Sequence, residues 1–153
     1  MKQLFILISI LATFLITSCA STSELTLAGD PPLQLKLDRP YSIIAPQGGP
    51  RAYMLTPTDG DSSAVILVGE GGFRKTRSEI TKEYGKVKTS VGQVNGNQFR
   101  WLDYSDTKHL YSTGESFVTS ASGKKIRVYM DLVANSAQRM QALKDALKTI
   151  QVK

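Results

Sequence analysis

The chain has 153 residues, of which 41% are hydrophobic and 21% charged, and its formal net charge is +6. This balance is that of an ordinary globular protein and excludes wholesale disorder, and the length suits one domain of common size. With one cysteine no internal disulfide can form, so the fold must stand on its own core.

Lys2 is followed by Leu4 to Ile16 (LFILISILATFLI), a run without charge that has the layout of an export signal. It is shorter than the roughly 20 apolar residues a transmembrane helix needs. The next five residues, Ile16-Thr17-Ser18-Cys19-Ala20, resemble the lipobox of bacterial lipoproteins: a branched aliphatic residue and two small ones before a cysteine. That resemblance implies a diacylglycerol thioether on Cys19, cleavage just before it, and usually a further acyl chain on the new N-terminus. Residues 1–18 are then a lipoprotein signal peptide, and the lipid bilayer is a permanent partner, because stable anchoring takes more than one acyl chain. In similar lipoproteins of double-membraned cells an Asp after the cysteine commonly retains the protein in the inner membrane. Ala20 therefore implies the periplasmic face of the outer membrane, or the outer face of the plasma membrane in a cell with one membrane. Loss of Lys2 leaves 18 basic and 13 acidic residues, a net +5. Export argues against nucleic acid as the counter-charge, leaving anionic lipid or lipopolysaccharide headgroups, an acidic protein, or plain solubility.

Residues 19–32 comprise the lipidated cysteine and a small, polar stretch ending in two prolines, which reads as a flexible tether to a globular domain over 33–153. Leu33, Leu35 and Leu37 alternate with polar residues, as in a half-buried strand. Further strands are expected at Tyr41 to Ala45, Arg51 to Thr56 and Ala64 to Val68, the last apolar enough to be covered on both faces. Alternation is lost over 70–83, where Ser78 to Tyr84 suits a turn or two of helix. Val87 to Val94 and Gln98 to Tyr104 then form a hairpin around Asn95-Gly96, a pair that tolerates positive φ. Leu110 to Tyr111, Ser116 to Ser120 and Lys125 to Val133 continue the strands.

The C-terminus predicts a helix capped by Asn135 or Ser136, with Ala137, Met140, Leu143, Leu147 and Ile150 on one side and Gln141, Lys144, Asp145 and Lys148 on the other. Its apolar stripe needs a surface, and the sheet is the one on offer. The expected class is α+β, a mostly antiparallel sheet with the C-terminal amphipathic helix packed on it. The strand KKIRVYMDLVANS running into the helix AQRMQALKDALKTIQ, preceded by Val94-Asn-Gly-Asn-Gln-Phe-Arg-Trp101, is similar to PsbP-like and DcrB-like domains. The resemblance implies a small exported sandwich that binds or supports larger assemblies, with no site residues to carry over.

The chain is poor in catalytic groupings. His109 is its one histidine, no H-E-x-x-H or G-x-S-x-G is present, and Gly114-Glu-Ser116-Phe117 matches the nucleophile elbow only at its start. Asp59 and Asp61 around Gly60, or Asp103 and Asp106, invite comparison with calcium ligands but lack the loop spacing, so a hydrated turn is the better reading. No metal or cofactor is expected. Two surfaces qualify for binding. One is the basic segment Arg74, Lys75, Arg77, Lys82, Lys86 and Lys88, read as a mobile loop beside the membrane. The other is an aromatic patch of Phe99, Trp101, Tyr104 and Tyr111, although strand aromatics are more often core. The leading expectation is a non-enzymatic, lipid-anchored module that binds another envelope or secreted protein, as an assembly factor or an immunity or inhibitor protein. Binding of anionic lipid through 74–88 is the alternative, and a hydrolase using Ser116 or His109 a minor one.

Overall fold

The computed structural model describes residues 23–28, 30–44, 51–69 and 75–153. The signal, Cys19 and Arg74 lie outside them. Two antiparallel sheets are formed. A small one has the order β1 (Ser23–Leu27), β2 (Leu33–Leu37), β10 (Gln151–Val152). The larger contains β3 (Tyr41–Ile44), β4 (Arg51–Pro57), β5 (Ser62–Val68), β6 (Lys88–Val94), β7 (Asn97–Ser105), β8 (Leu110–Thr119) and β9 (Lys125–Ala134), in the order β3-β4-β5-β9-β8-β7-β6. It is two meanders joined where β5 pairs along its whole length with β9. Helices α1 (Arg77–Tyr84) and α2 (Ala137–Lys148) are the other elements among the described residues.

Strand alternation fixes which residues share a face. Across β4 to β6 one row reads Tyr53, Ile66, Met130, Gly114, Trp101 and Ser90, and all but Ser90 are buried. This inner face shares one core with Leu33, Leu35 and Leu37 of β2 and with Met140, Leu143, Ala146 and Leu147 of α2. Ser136 caps α2 by accepting from the Arg139 amide, which settles the cap between the two candidates. The C-terminus is fastened to the small sheet: the Lys36 amide donates to Thr149 Oγ1 at 2.8 Å and the Lys153 amide to the Pro32 carbonyl at 3.0 Å.

Several expectations need correction. Ser23–Leu27 is no tether but a strand paired with β2 in full register, with Leu27 buried, because its alternating Leu25 and Leu27 complete a leucine face. The expected break between Tyr111 and Ser116 is absent: β8 runs unbroken because neighbours on both sides supply its hydrogen bonds, and Gly114 sits within it. β5 is fully buried on its inner face and only half-covered on the other. Ile150 is buried beyond the end of α2, and Ala137 is exposed. The Asn95-Gly96 hairpin is as expected, with φ of 47° and 75° at its two central residues.

Candidate functional site

The residues singled out from the sequence are dispersed. Trp101 is 2% exposed, edge-on to Phe99 at 4.6 Å and roofed by the Lys144 ammonium 5.2 Å from its ring centre. It offers no surface to a partner, so the aromatic patch loses Phe99 and Trp101 to the core. Lys144, expected on the polar side of α2, instead folds inward to Asp103 at 2.7 Å. Ser112 and Ser90 also donate to that carboxylate. Burial would raise the Asp103 carboxyl, but these three donors outweigh it and hold it below the usual range. Asp59 and Asp61 are engaged by Arg39, and Asp61 also by Arg139 at 2.7 Å. Asp106 organises its own turn: the Lys108 and His109 amides donate to it, as does the Tyr111 hydroxyl, and its carboxyl falls to about 2. Among the described residues no three of His, Cys, Asp and Glu are grouped as metal ligands.

Among the described residues of the basic segment, Arg77 and Lys82 lie on α1, over which a turn or two of helix was expected, Lys88 opens β6, and Lys75 and Lys86 lie in the connections. Thr76 caps α1 by accepting from the Glu79 amide, and Glu79 reaches back to the Thr76 amide, a reciprocal capping box written in the sequence as Thr76-Arg-Ser-Glu79. Ile80 is fully buried and pins the helix to the sheet. Arg77 donates to Thr89 and to the Val87 carbonyl, while Lys75 pairs with Glu83. Arg77, Lys82, Lys86 and Lys88 remain exposed.

What α1 covers is the second face of the large sheet, where the structure brings together residues the sequence left apart. Tyr84 of α1 lies 4.7 Å from Tyr104 of β7 and 5.4 Å from Tyr111 of β8, ring centre to ring centre, and Tyr104 and Tyr111 stack at 5.2 Å. Beside them on β9 stand Tyr129 and Asp131, two residues apart and so on the same face. These five, with Lys75 and Val133, line a pocket of about 140 Å³. Thr113 donates to the Tyr129 hydroxyl at 2.5 Å. Asp131 Oδ1 is shielded from solvent and has no hydrogen-bond partner among the described residues. Desolvation pushes the Asp131 carboxyl up, and Lys75 only partly offsets it. Tyr111 is pushed up to about 12, chiefly by its bond to Asp106. Burial raises Tyr84 and Tyr104, and neighbouring carboxylates add to it.

Tyr129 and Asp131 were legible only as the outward half of an alternating strand. The capping box was the available clue that an element covers them. No protein-family model matches the chain, and comparison with curated proteins finds no match. Among the described residues no helix is long and apolar enough to cross a membrane.

Proposed function

We propose that this chain is a lipid-anchored envelope protein, held through the acyl chains of Cys19 at the periplasmic face of an outer membrane, whose α+β domain is a non-enzymatic protein-binding module. Its partner is another envelope or secreted protein, met in assembly or in inhibition, and the engaged surface is the sheet face beside α1. The observation that carries this reading is the pocket at Tyr104, Tyr129 and Asp131, where a shielded carboxylate oxygen lacks a donor among the described residues on the side of the sheet away from the core. Native structures rarely leave such an atom unpaired without a functional reason. A hydrolase is disfavoured by placement: Ser116 is 2% exposed on the inner face, and it lies seven residues along an extended strand from His109, roughly 20 Å at about 3.3 Å per residue.

The test is site-specific photo-crosslinking in the intact envelope. A crosslinker at Leu102, on the face beside α1, is expected to yield a discrete adduct, and one at Gln141, on the exposed side of α2, none. Adducts from Gln141 alone would refute this choice of surface. The second reading, attraction to anionic headgroups, is favoured by the four exposed cations Arg77, Lys82, Lys86 and Lys88. It requires that binding to anionic vesicles disappear at high salt.

A further inference from the structure

We infer that the tyrosine pocket beside α1 is a recognition site for an organic cation, an ammonium or guanidinium head that lies against the Asp131 carboxylate. The inference rests on the binding face proposed above and names the chemistry it would read. Three features converge on it.

The first is the unmet acceptor: Asp131 Oδ1 is shielded and has no partner among the described residues, in the middle of a sheet between Val65 on β5 and Thr113 on β8. A cation seated in the pocket answers the charge of this carboxylate, and charge-assisted bonds to a carboxylate are about twice as strong as neutral ones.

The second is the wall. Tyr84, Tyr104 and Tyr111 pack as a connected group, and aromatic rings attract cations electrostatically. The protein already uses this property here, since the Lys75 ammonium sits 5.5 Å from the Tyr84 ring centre. Lys75 is committed to Glu83, however, and makes no hydrogen bond to Asp131 Oδ1.

The third is the local field and the size. In a chain of net charge +6, the described groups that act on these rings are mostly acidic: Asp131, Glu83 and Asp106, with Lys75 as the cation among the described residues. Burial is the main cause that raises Tyr104, and the hydrogen bond to Asp106 the main one that raises Tyr111; the charges of Asp131 and Asp106 add to these in the same direction. The pocket's 140 Å³ falls well below the roughly 300–1,000 Å³ of pockets for drug-sized ligands, and suits a small head group or the tip of one side chain.

The cation has two possible sources, a free small amine or a lysine or arginine of the partner protein, and one experiment separates them. The mature lipidated protein, in a non-ionic detergent and carrying ring-labelled tyrosines, is titrated in the NMR spectrometer. The probes are ethylammonium chloride, neutral propanol, a short lysine-containing peptide, and the same peptide with the lysine acetylated. Saturable shifts of Tyr104 and Tyr129 are expected with ethylammonium or the lysine peptide, and none with propanol or the acetylated peptide. Saturation by ethylammonium identifies a free amine as sufficient; saturation by the peptide alone identifies a partner's side chain. Asp131→Asn should weaken binding at least tenfold, and Lys75→Met, which removes the competing cation, should strengthen it severalfold. Unchanged signals from Tyr41 and Tyr53, which lie away from the pocket, show that a variant is folded. Equal binding by Asp131→Asn, equal response to propanol, or no response to either cation overturns the inference. If cations fail while the Leu102 crosslink persists, the binding face stands without this chemistry; if the crosslink is lost as well, both readings fall.

Discussion

Replacing Gly114 with alanine tests the core packing where it is tightest. Gly114 lies mid-strand on β8, directly opposite Trp101 on β7 and Met130 on β9. A methyl there would stand 2.8 Å from Trp101 Cε3, 3.0 Å from Phe99 Cε2 and 3.1 Å from Trp101 Cζ3, inside the roughly 3.5–4.0 Å of good carbon contact. The indole has no room to retreat. Its far edge meets Gly92 on β6 so closely that a methyl at Gly92 would come within 2.5 Å of Nε1, and Lys144 covers its face. Overpacking of this kind costs about 1–3 kcal/mol. Alanine is itself better than glycine inside a strand by roughly 0.5–1 kcal/mol, so the net loss should centre on about 1 kcal/mol. For a domain of this size that is a fall in melting temperature of roughly 2 to 10 °C. Urea and thermal denaturation, followed by circular dichroism, measure it. Trp101→Leu should lower stability alone yet relieve the clash in the double variant, giving a coupling of about 0.5–3 kcal/mol. A Gly114→Ala protein as stable as the wild type, or more so, would refute the close approach of strand and indole.

The Asp103 carboxyl, held below its usual range by Lys144, Ser112 and Ser90, binds protons less readily folded than unfolded. Its contribution is therefore complete above the unfolded value near 3.9 and lost as pH falls through the lower folded value. Asp103→Asn should lose about 1.5–3 kcal/mol at neutral pH and show a shallower acid transition than the wild type. Asp131 has the opposite sign: its carboxyl is raised, so ionising it costs stability as pH climbs from the unfolded value through the folded one. Asp131→Asn should therefore melt higher than wild type at pH 7, with the difference vanishing below about pH 4; equal melting temperatures across that range would contradict the desolvation argument. Arg39→Met removes the guanidinium shared by Asp59 and Asp61 and should cost about 1–3 kcal/mol, with less than additive loss on adding Arg139→Met, because both arginines serve Asp61. Fatty-acid labelling of wild type but not Cys19→Ala is the expected outcome for the anchor, and labelling of both would exclude the lipobox.

Strand identity followed from period-2 alternation. Lys125–Ala134 places Ile126, Val128, Met130 and Leu132 on the buried side as its residue types require. The hairpin at Asn95-Gly96 followed from two residues that accept positive φ, and α2 from a stripe at helical spacing. These are local rules, and one sequence suffices for them. The β1 strand was hidden because its flanking prolines and small polar residues read as linker, and only its pairing to Leu33–Leu37 makes it a strand. Trp101 could be assigned a face but not a fate, since burial depended on Lys144 reaching across from α2.

The pocket belongs wholly to the tertiary level. Tyr84, Tyr104, Tyr111, Tyr129 and Asp131 come from four elements and Lys75 from the segment leading into α1, and alternation could say only that Tyr129 and Asp131 point away from the core. Whether that outward face meets water or another element depends on where α1 docks and on β9 entering the sheet between β5 and β8. Sequence by itself determined periodicity, turns and caps, because these arise from backbone sterics and from side chains a few residues apart. Docking and strand order arise from burying surfaces distant along the chain, and they decided which carboxylate would be shielded without a partner among the described residues.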